Sequence, residues 1–523
     1  MRKRRGITGK IIFMSAMAIV MLAFALLMSG CAKEEGRTMY DSLVLEVDEK
    51  KQLGDVYGFA GDCTYSFKGD SIAIYSGIIR GMSAGSVTRV VVKDAKGNTI
   101  GSFDAEVSPD TYKGYGEVEN SEGWYDAITV DPVTGLPGDF SMGMDISTVK
   151  TVLDNGGKFY NSDGNRESIY KLLKDNGITY IRLRLWNEPY QYDTDGNKLY
   201  YGGGICDFDT IREIAADAKG LGFKVLLNFH YSDFWADPTY QIIPKMWADI
   251  ETPEKMAEAI YQYTYDTVTA LKEAGAMPDM VQIGNEITSG MLLQLGGEED
   301  GSFDSVGYSK YVSKRSNADA AVRATYSGRG AETDRNLTMY VKAGVDAVKA
   351  ADSSILTMIQ LAKEMSAVSF MKRFYHTFDE IDFDVIGLSY YPRWHGPVTR
   401  LAEALAELAA EFPDKRIAVV EVSYAYTYED AEYAANQFGT NFASKDYEVS
   451  VQGQANLYRD VINALAGAGG RSFGVFVWEG AWLPVKGAGW AAYNTSSSWA
   501  NQAVFGYGGK ELPSLEVFKR VYN

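Results

Sequence analysis

The spacing of apolar and polar residues changes along the chain near residue 139. Before it, between residues 40 and 108, short segments alternate apolar and polar positions, and Gly, Asp and Asn separate them. The strand candidates here are LVLEVD, SIAIYSG, SVTRVVVKD and GSFDAEVS. A period of two is typical of half-buried strands joined by tight turns, so this part is predicted to be a small all-β sandwich.

After residue 139, apolar strand candidates alternate with helical patterns such as RESIYKLLKDNG, which end at glycine as helix C-termini do. The eight strand candidates are MGMDIS near 142, YIRLRLW from 180, KVLLNFHYS from 224, MVQIGNE from 280, ILTMIQLA from 355, DVIGLSYYP from 384, IAVVEVSY from 417 and FGVFVWEG from 473. Such alternation implies parallel pairing, and eight units predict an α/β fold, a (β/α)8 TIM barrel over residues 139–523. No GxGxxG motif follows the first strand, which disfavours a doubly wound sheet.

Two further segments complete the predicted organisation. Residues 109–138 are dense in Gly, Pro and Asp and are predicted to be a linker that could hold one extra strand. At the N-terminus, four basic residues at 2–5 precede an apolar run at 11–28, and LLMSGC places small residues just before Cys31. A basic segment, an apolar segment and small residues at a cleavage site indicate export.

The ending at Cys31 resembles a bacterial lipobox, with Met28 where Leu is commoner. The resemblance implies a signal peptide over 1–30, lipidation of Cys31 and a tether over 31–39. An uncleaved transmembrane anchor is the alternative, because eighteen apolar residues nearly span a bilayer. Either way the remaining chain lies outside the cytoplasm, and the lipoprotein hypothesis places it at the cell surface, bound to the membrane.

Composition excludes several classes of protein. The chain is 46% apolar and 23% charged, which excludes a mainly disordered protein. Its length of 523 residues favours more than one domain, because one hydrophobic core rarely grows so large. The net charge is −18, and it becomes −23 without residues 1–30, which hold five basic residues and no acid. So acidic a surface argues against nucleic acid as a partner. Cys63 and Cys206 fall in different predicted domains, so no disulfide framework is expected.

Polar and aromatic residues gather where the predicted barrel strands end. In parallel barrels, functional side chains come from these C-terminal ends and from the loops that follow. The residues are Arg182, Arg184 and Trp186 after strand two, His230 after strand three, Asn285 and Glu286 after strand four, Tyr390 and Tyr391 after strand six, Glu421 in strand seven, and Trp478 and Glu479 after strand eight. The sequence therefore predicts a functional site at this end of the barrel.

Glu286 and Glu421 stand out because each follows an apolar run. A buried carboxylate is costly unless it is paired or hydrogen-bonded, and for one glutamate a structural ion pair explains the position equally well. Two glutamates at the same end of strands four and seven fit glycoside hydrolysis, which needs a proton donor and a second carboxylate, about 5–5.5 Å apart in retaining enzymes. The pair, with Asn285, resembles the clan of retaining barrel glycosidases.

Longer phrases resemble glycoside hydrolase family 53, the arabinogalactan endo-β-1,4-galactanases. From about residue 140 to the C-terminus they occur in the family's order: RLRLWNEP at 182–189, NFHYSDFWADP at 228–238, PDMVQIGNEITSGML at 278–292, GLSYYPRWHG at 387–396, VVEVSYAYT at 419–427, VQGQAN at 451–456, VFVWEGAW at 475–482 and WANQAVFGYGGKELPSL at 499–515. The resemblance implies retaining endo-hydrolysis of β-1,4-galactan side chains of pectin, with release of galacto-oligosaccharides. The alternatives are a barrel glycosidase for mannan or xylan, and a non-catalytic glycan-binding lipoprotein.

The resemblance also implies roles for individual residues. Glu286 would be the general acid/base and Glu421 the nucleophile, while Asn285 would bind the sugar 2-hydroxyl. Arg182 or Arg184 would keep Glu421 ionised, because a nearby cation favours the charged form of a carboxylate. Five aromatic residues would stack on galactose, although we expect core packing instead for one or two of them. The full set of predicted substrate-binding residues is Asn285, Arg182, Arg184, His230, Trp235, Tyr390, Trp394, Trp478 and Trp482.

Some positions depart from the family pattern. Asn228 and Gly506 stand where the family has Asp, and we expect both to affect contacts around the site rather than the acid/base pair. The segment 296–338 is longer than the family's loop after strand four and could extend or narrow the groove. No cofactor is required for this chemistry. Some bacterial relatives carry a calcium after strand seven, but Glu429, Asp430 and Glu432 lack the spacing of a calcium loop.

The predicted β-sandwich has a resemblance of its own. The phrase GIIRGMSAGSVTRVVV resembles the bacterial immunoglobulin-like group 2 modules, in which a strand, a Ser-Ala-Gly turn and another strand recur. The resemblance implies a spacer between membrane and barrel, and direct contact with glycan is the alternative.

Overall fold

The structure is a computed structural model that describes residues 38–113, 121, 123–193, 195–297, 315–431, 434–490 and 495–522. The predicted signal peptide, Cys31 and most of the tether lie outside the described residues, as do Glu432 and the middle of the long segment after strand four. None of the helices in the described ranges is long and apolar enough to cross a bilayer.

The larger domain is a closed barrel of eight parallel strands, each paired with the next and the eighth with the first. Barrel strands one to eight are Ser141–Asp145, Tyr180–Leu185, Lys224–Phe229, Met280–Ile283, Leu356–Ala362, Val385–Ser389, Arg416–Val422 and Ser472–Val477. All eight coincide with the predicted apolar runs, so the predicted barrel is confirmed. Strands with helices on their outer side are buried on both faces, which is why they read as continuous apolar segments.

The longer helices of the barrel follow its strands along the chain. They are Ile169–Asp175, Phe208–Gly220, Pro253–Glu273, Glu332–Ala351, Val368–His376, Val398–Glu411 and Val451–Ala466, and the shorter ones are Val149–Asp154, Pro392–His395 and Val517–Arg520. One further short helix, Leu53–Tyr57, belongs to the N-terminal domain. Several begin at a capping side chain: Asp207, Thr252 and Ser450 each accept a bond from a backbone N–H three residues later. Such caps satisfy N–H groups that the first helical turn leaves without a partner.

The N-terminal domain is all-β, as predicted. One sheet contains Thr38–Met39, Leu43–Leu45, Thr64–Ser66, Thr88–Lys93 and Thr99–Val107, and the other contains Lys50–Gln52, Ile72–Tyr75 and Ile78–Gly81. Its core is separate from that of the barrel and includes Leu45, Val90 and Phe103. Cys63 belongs to this domain and Cys206 to the barrel, and both are free thiols.

The β domain packs directly against the barrel through a buried ion pair. Arg80 of the β domain, only 2% exposed, donates to Asp217 of the barrel at 2.6 Å and to its own domain's Asp48 at 2.8 Å. Tyr75 also donates to Asp217, at 2.9 Å. A side chain added at Gly220 would meet the Tyr75 ring at 2.3 Å, so the two domains approach closely.

The predicted linker follows the barrel surface. Trp124 makes edge-on contacts with the rings of Tyr426 and Tyr507, and the N–H of Val133 donates to the carbonyl of Val521 at 2.8 Å. The described part of 109–138 contains no strand. This segment also explains the glycine at 506, because a side chain there would meet the Tyr125 hydroxyl at 2.4 Å.

Described residues of the long segment 296–338 form two short ribbons with the residues that precede it. Gly290–Met291 pairs with Ala324–Thr325, and Gln294–Leu295 pairs with Ser316–Asn317. Gln294–Leu295 also pairs with Ile242–Ile243, which follows barrel strand three. The segment is therefore anchored to the loop after strand three, on the side of the barrel where polar residues were predicted to gather.

Candidate active site

Glu421 occupies a polar pocket made by three donors. Arg182 Nη2 at 2.8 Å and Gln360 Nε2 at 3.0 Å both donate to Oε1, and the Tyr391 hydroxyl donates to Oε2 at 3.0 Å. Glu421 is 5% exposed, so a bare carboxylate would be costly there. One cation and two neutral donors together satisfy both oxygens of this buried carboxylate.

Glu286 lies in a different setting, directly after barrel strand four. Its backbone is in the left-handed region, with φ 48° and ψ 48°, and its N–H donates to Gln360 Oε1 at 3.1 Å. Its carboxyl accepts one side-chain hydrogen bond, from the Ser389 hydroxyl to Oε1 at 2.5 Å. Burial, followed by the charge of Glu421, raises the pKa of Glu286 well above its usual range. The arrangement therefore favours a protonated Glu286 opposite an ionised Glu421, the division of roles that an acid and a nucleophile need.

Arg182 is the arginine that holds Glu421. Its guanidinium also contacts Asp145 at 3.0 Å and donates to Asn285 Oδ1 at 3.1 Å. The second candidate, Arg184, pairs with Glu479 and donates to the carbonyl of Gly203 at 2.5 Å. The expectation that either arginine could hold Glu421 is thus resolved in favour of Arg182.

Arg184 packs against the aromatic residues at this end of the barrel. Its guanidinium carbon lies 4.4 Å from the centre of the Trp235 ring, a cation–π distance. Burial raises the pKa of its partner Glu479 to about 7, against the opposing effect of Arg184. Thr148 donates to the other oxygen of Glu479 at 2.6 Å. Both Arg184 and Glu479 are buried, so they position Trp235 rather than meet a ligand directly.

Asn285 is held by bonds to several strands. Its Oδ1 accepts from Arg182 and from Asn228 Nδ2 at 2.8 Å, and its Nδ2 donates to the carbonyl of Ala236 at 2.7 Å. An amide nitrogen carries two hydrogens, so one remains for a ligand. Asn228, at the position where the resemblance led us to expect Asp, acts here as a donor, a role that an ionised Asp could not take.

His230 is a buried, neutral imidazole. Its Nδ1 accepts from Trp186 Nε1 and from the N–H of Ala236, both at 3.1 Å. Burial, followed by the charges of Arg184 and Arg182, lowers the pKa of His230 well below its usual range. Because Nδ1 accepts twice, the single proton of the neutral ring is on Nε2, and His230 can donate but not accept at that atom.

The five predicted stacking residues divide by exposure. Trp394 is 49% exposed, Trp235 is half-buried and Trp478 is nearly buried. Tyr390 and Trp482 are fully buried, and the Tyr390 hydroxyl donates to the carbonyl of Gly396 at 2.9 Å. A fully buried ring cannot stack on a sugar, so the expectation of sugar stacking for Tyr390 and Trp482 is corrected to core packing.

Several residues at the site were given no role by the sequence analysis. Tyr391, which was placed at the end of strand six but not among the binding residues, donates to Glu421, and it lies on the same face of its strand as Ser389 by the two-residue period. Gln360 interrupts an apolar run in strand five, which is the same signal that marked Glu286. Trp490 lies after strand eight, nearly parallel to Trp235 with 4.8 Å between ring centres. Among the described residues, no group of three or more His, Cys, Asp or Glu side chains is placed to hold a metal.

Comparison with known proteins places this site in a family. The model of glycosyl hydrolase family 53 matches residues 141–518. An endo-β-1,4-galactanase of Bacillus subtilis (strain 168) is 34% identical over 422 residues, which cover 75% of this chain and 88% of that protein. An arabinogalactan endo-β-1,4-galactanase of Cellvibrio japonicus is 30% identical over 390 residues, covering 73% and 91%.

Solved structures agree with the sequence relatives. The GH53 catalytic domain of Ignisphaera aggregans is 36% identical with a TM-score of 0.63, and the match covers 76% of this chain and all of that domain. A fungal β-1,4-galactanase structure is 26% identical with a TM-score of 0.54, covering 73% of this chain and 99% of its own. The predicted family is confirmed: the chain belongs to glycosyl hydrolase family 53.

Proposed function

We propose that this glycoside hydrolase cleaves internal β-1,4 bonds of galactan with retention of configuration, with Glu286 as general acid/base and Glu421 as nucleophile. The observation that carries the proposal is the contrast between the two carboxyl groups. Glu421 accepts from Arg182, Gln360 and Tyr391, whereas Glu286 is buried, has a raised pKa and accepts from one side chain among the described residues.

The two steps follow from these protonation states. In the first, a Glu421 oxygen attacks the anomeric carbon while Glu286 gives its proton to the glycosidic oxygen, so the old bond breaks and a glycosyl ester forms. In the second, Glu286, now a carboxylate, takes a proton from water as that water attacks the same carbon and releases Glu421. Each carboxyl group returns to its starting state.

The surrounding residues would bind and orient the sugar. The second Asn285 amide hydrogen, which has no acceptor among the described residues, supports a bond to the 2-hydroxyl at the cleavage point. Trp235 and Trp478, whose ring centres lie 5.7 Å apart, supply apolar surface at this end of the barrel. Trp394 supplies an exposed ring that contacts Tyr391 edge-on, with 5.6 Å between ring centres. Sugar rings present C–H faces that pack on such aromatic surfaces.

Galactan is proposed as the substrate because the relatives reported above are named galactanases and cover most of the catalytic domain. The test is incubation of the purified chain with linear β-1,4-galactan, mannan and xylan, followed by analysis of the products. We expect galacto-oligosaccharides of mixed length early in the reaction and a β-anomeric product by NMR. Faster release of oligosaccharides from mannan or xylan than from galactan would overturn the proposal that galactan is the substrate. Tight binding with no reducing ends released would favour a glycan-capture protein.

We further propose that the chain is anchored at the cell surface by a lipid on Cys31. The basic segment, the apolar run at 11–28 and the small residues before Cys31 support this. In cells given an alkyne fatty acid, the full chain should become labelled in the membrane fraction. A Cys31→Ser chain should lack the label, and equal labelling of both chains would contradict the proposal.

The β domain is proposed to be an immunoglobulin-like spacer. Its separate core and its ion pair with the barrel support a structural role. Asp substitutions of the exposed Val44 and Val87 should leave retention of the full chain in galactan-containing gels unchanged. Weaker retention would instead assign glycan contact to this domain.

A further inference from the structure

Gln360, in barrel strand five, joins the two carboxyl groups of the site through all of its amide atoms. Its Oε1 accepts from the Glu286 N–H at 3.1 Å and from Gln282 Nε2 at 2.6 Å. Its Nε2 donates to Glu421 Oε1 at 3.0 Å and to Ser389 Oγ at 2.9 Å. If the amide were rotated by 180°, its NH2 group would point at two other donors and its oxygen would point at the Glu421 carboxylate. Neither arrangement allows a hydrogen bond, so these contacts determine the orientation of the amide.

The orientation of Gln360 determines what Ser389 can do. Ser389 is fully buried in barrel strand six, and its hydroxyl accepts one hydrogen from Gln360. A hydroxyl has one hydrogen of its own, and Glu286 Oε1, at 2.5 Å, is the acceptor that the described residues offer for it. If the Glu286 proton were on Oε1, both Gln360 and Glu286 would donate to the Ser389 hydroxyl. The hydrogen of that hydroxyl would then lose Glu286 Oε1 as its acceptor.

We propose that Gln360 and Ser389 form a positioning pair that keeps the acid proton of Glu286 on Oε2 and leaves Oε1 as a permanent acceptor. The inference rests on the proposed function and adds to it a device that selects which oxygen does the chemistry. Gln360 donates a hydrogen bond to Ser389, and Ser389 donates one to Glu286. The Gln360 amide also donates to Glu421.

The pair also affects the energy of proton transfer. When Glu286 gives up its proton, the Ser389 hydroxyl continues to donate to the new carboxylate, and a hydrogen bond to the charged form favours that form. This bond opposes the burial and the Glu421 charge that raise the pKa of Glu286. Loss of the hydroxyl should therefore make Glu286 a weaker acid and a less well-directed one.

The test is Ser389→Ala in the full chain, compared with Ser423→Ala. Ser423 is a matched control, because it is a buried serine whose hydroxyl donates to a glutamine, Gln502 Oε1, at 2.9 Å. For Ser389→Ala we expect kcat on galactan to fall about tenfold to a hundredfold, the range of a lost hydrogen bond to a charged group. KM should change little, and the alkaline limb of the pH profile should move to higher pH. For Ser423→Ala, both kcat and the profile should stay near wild type.

A second substrate separates positioning from general damage. An aryl β-galactobioside with an acidic phenol as leaving group needs little protonation, so Ser389→Ala should lose much less activity on it than on galactan. Gln360→Met removes the hydrogen bond that orients Ser389. It should also lower the ratio of activity on galactan to activity on the aryl substrate. An unmoved pH profile and an unchanged substrate ratio in a folded Ser389→Ala chain would overturn the inference. Failure of the wild-type chain to release sugar would instead overturn the proposed function.

Discussion

Arg182 reaches Glu421 across the barrel, with 2.8 Å between Nη2 and Oε1. The same guanidinium contacts Asp145 of strand one and Asn285 after strand four. One buried side chain therefore connects residues of three other strands. Its planar fork allows these contacts at once, which a lysine ammonium could not reproduce.

Arg182→Lys should therefore retain charge but lose activity. We expect kcat on galactan to fall by about two orders of magnitude, because Glu421 and Asn285 lose a shared donor. Steady-state kinetics checks the result, with circular dichroism to verify folding. Near-native kcat would show that a point charge alone is sufficient at Glu421.

Glu286→Ala and Glu421→Ala should each lower galactan hydrolysis by several orders of magnitude without unfolding the barrel. The two variants should differ on an aryl galactoside whose leaving group needs no proton. Glu286→Ala should still show a burst of phenol release, because Glu421 remains to form the ester, whereas Glu421→Ala should show none. Near-native activity of either variant on galactan would refute its assigned role.

The pH profile should reflect a protonated Glu286. Burial and the Glu421 charge raise the pKa of Glu286. Activity should therefore persist above the usual range of a glutamic acid and decline only as pH rises through this raised value. His230 should not contribute a step near pH 6.5, because its pKa is well below that value. The measurement is kcat/KM against pH, and an alkaline limb near pH 4.5 would contradict the prediction.

Two tryptophans of the site should behave in opposite ways. Trp482→Ala removes a fully buried ring and should cost about 3–5 kcal/mol of folding stability. Trp394→Ala removes a ring that is half-exposed, so stability should change by less than about 0.5 kcal/mol. We expect KM for galactan to rise about two- to tenfold in Trp394→Ala, the loss of one stacking contact. Denaturant unfolding and kinetics together distinguish these outcomes.

The junction between the domains should depend on Asp217. Asp217→Ala leaves the buried Arg80 with one of its two carboxylate partners in the described part of the chain, Asp48, and should cost about 3–5 kcal/mol. Asp346→Ala breaks an exposed helix pair with Lys342 and serves as the control, with an expected cost under about 0.5 kcal/mol. Thermal unfolding and protease cleavage within 109–138 measure the effect. Equal behaviour of the two variants would mean that the domains do not stabilise each other.

The sequence by itself determined the elements of this protein. Apolar runs located all eight barrel strands, and alternating positions identified the all-β domain, because the period of side-chain burial is a local property of each segment. Glu286 and Glu421 were found by the same local signal, a carboxylate that interrupts buried positions. Their catalytic roles stay predictions that the variants above address.

Only the tertiary structure decided which neighbouring residues meet. Arg182 rather than Arg184 holds Glu421, and Tyr391 rather than Tyr390 contacts it. A shift in register between strands six and seven places Ser389 opposite Glu421, which neither strand alone reveals. Gln360 became part of the site only once the barrel placed strand five between strands four and six, with the Gln360 side chain within reach of Glu421 in strand seven. Such contacts depend on strand stagger and barrel closure, and these arise from all eight strands together rather than from any one segment.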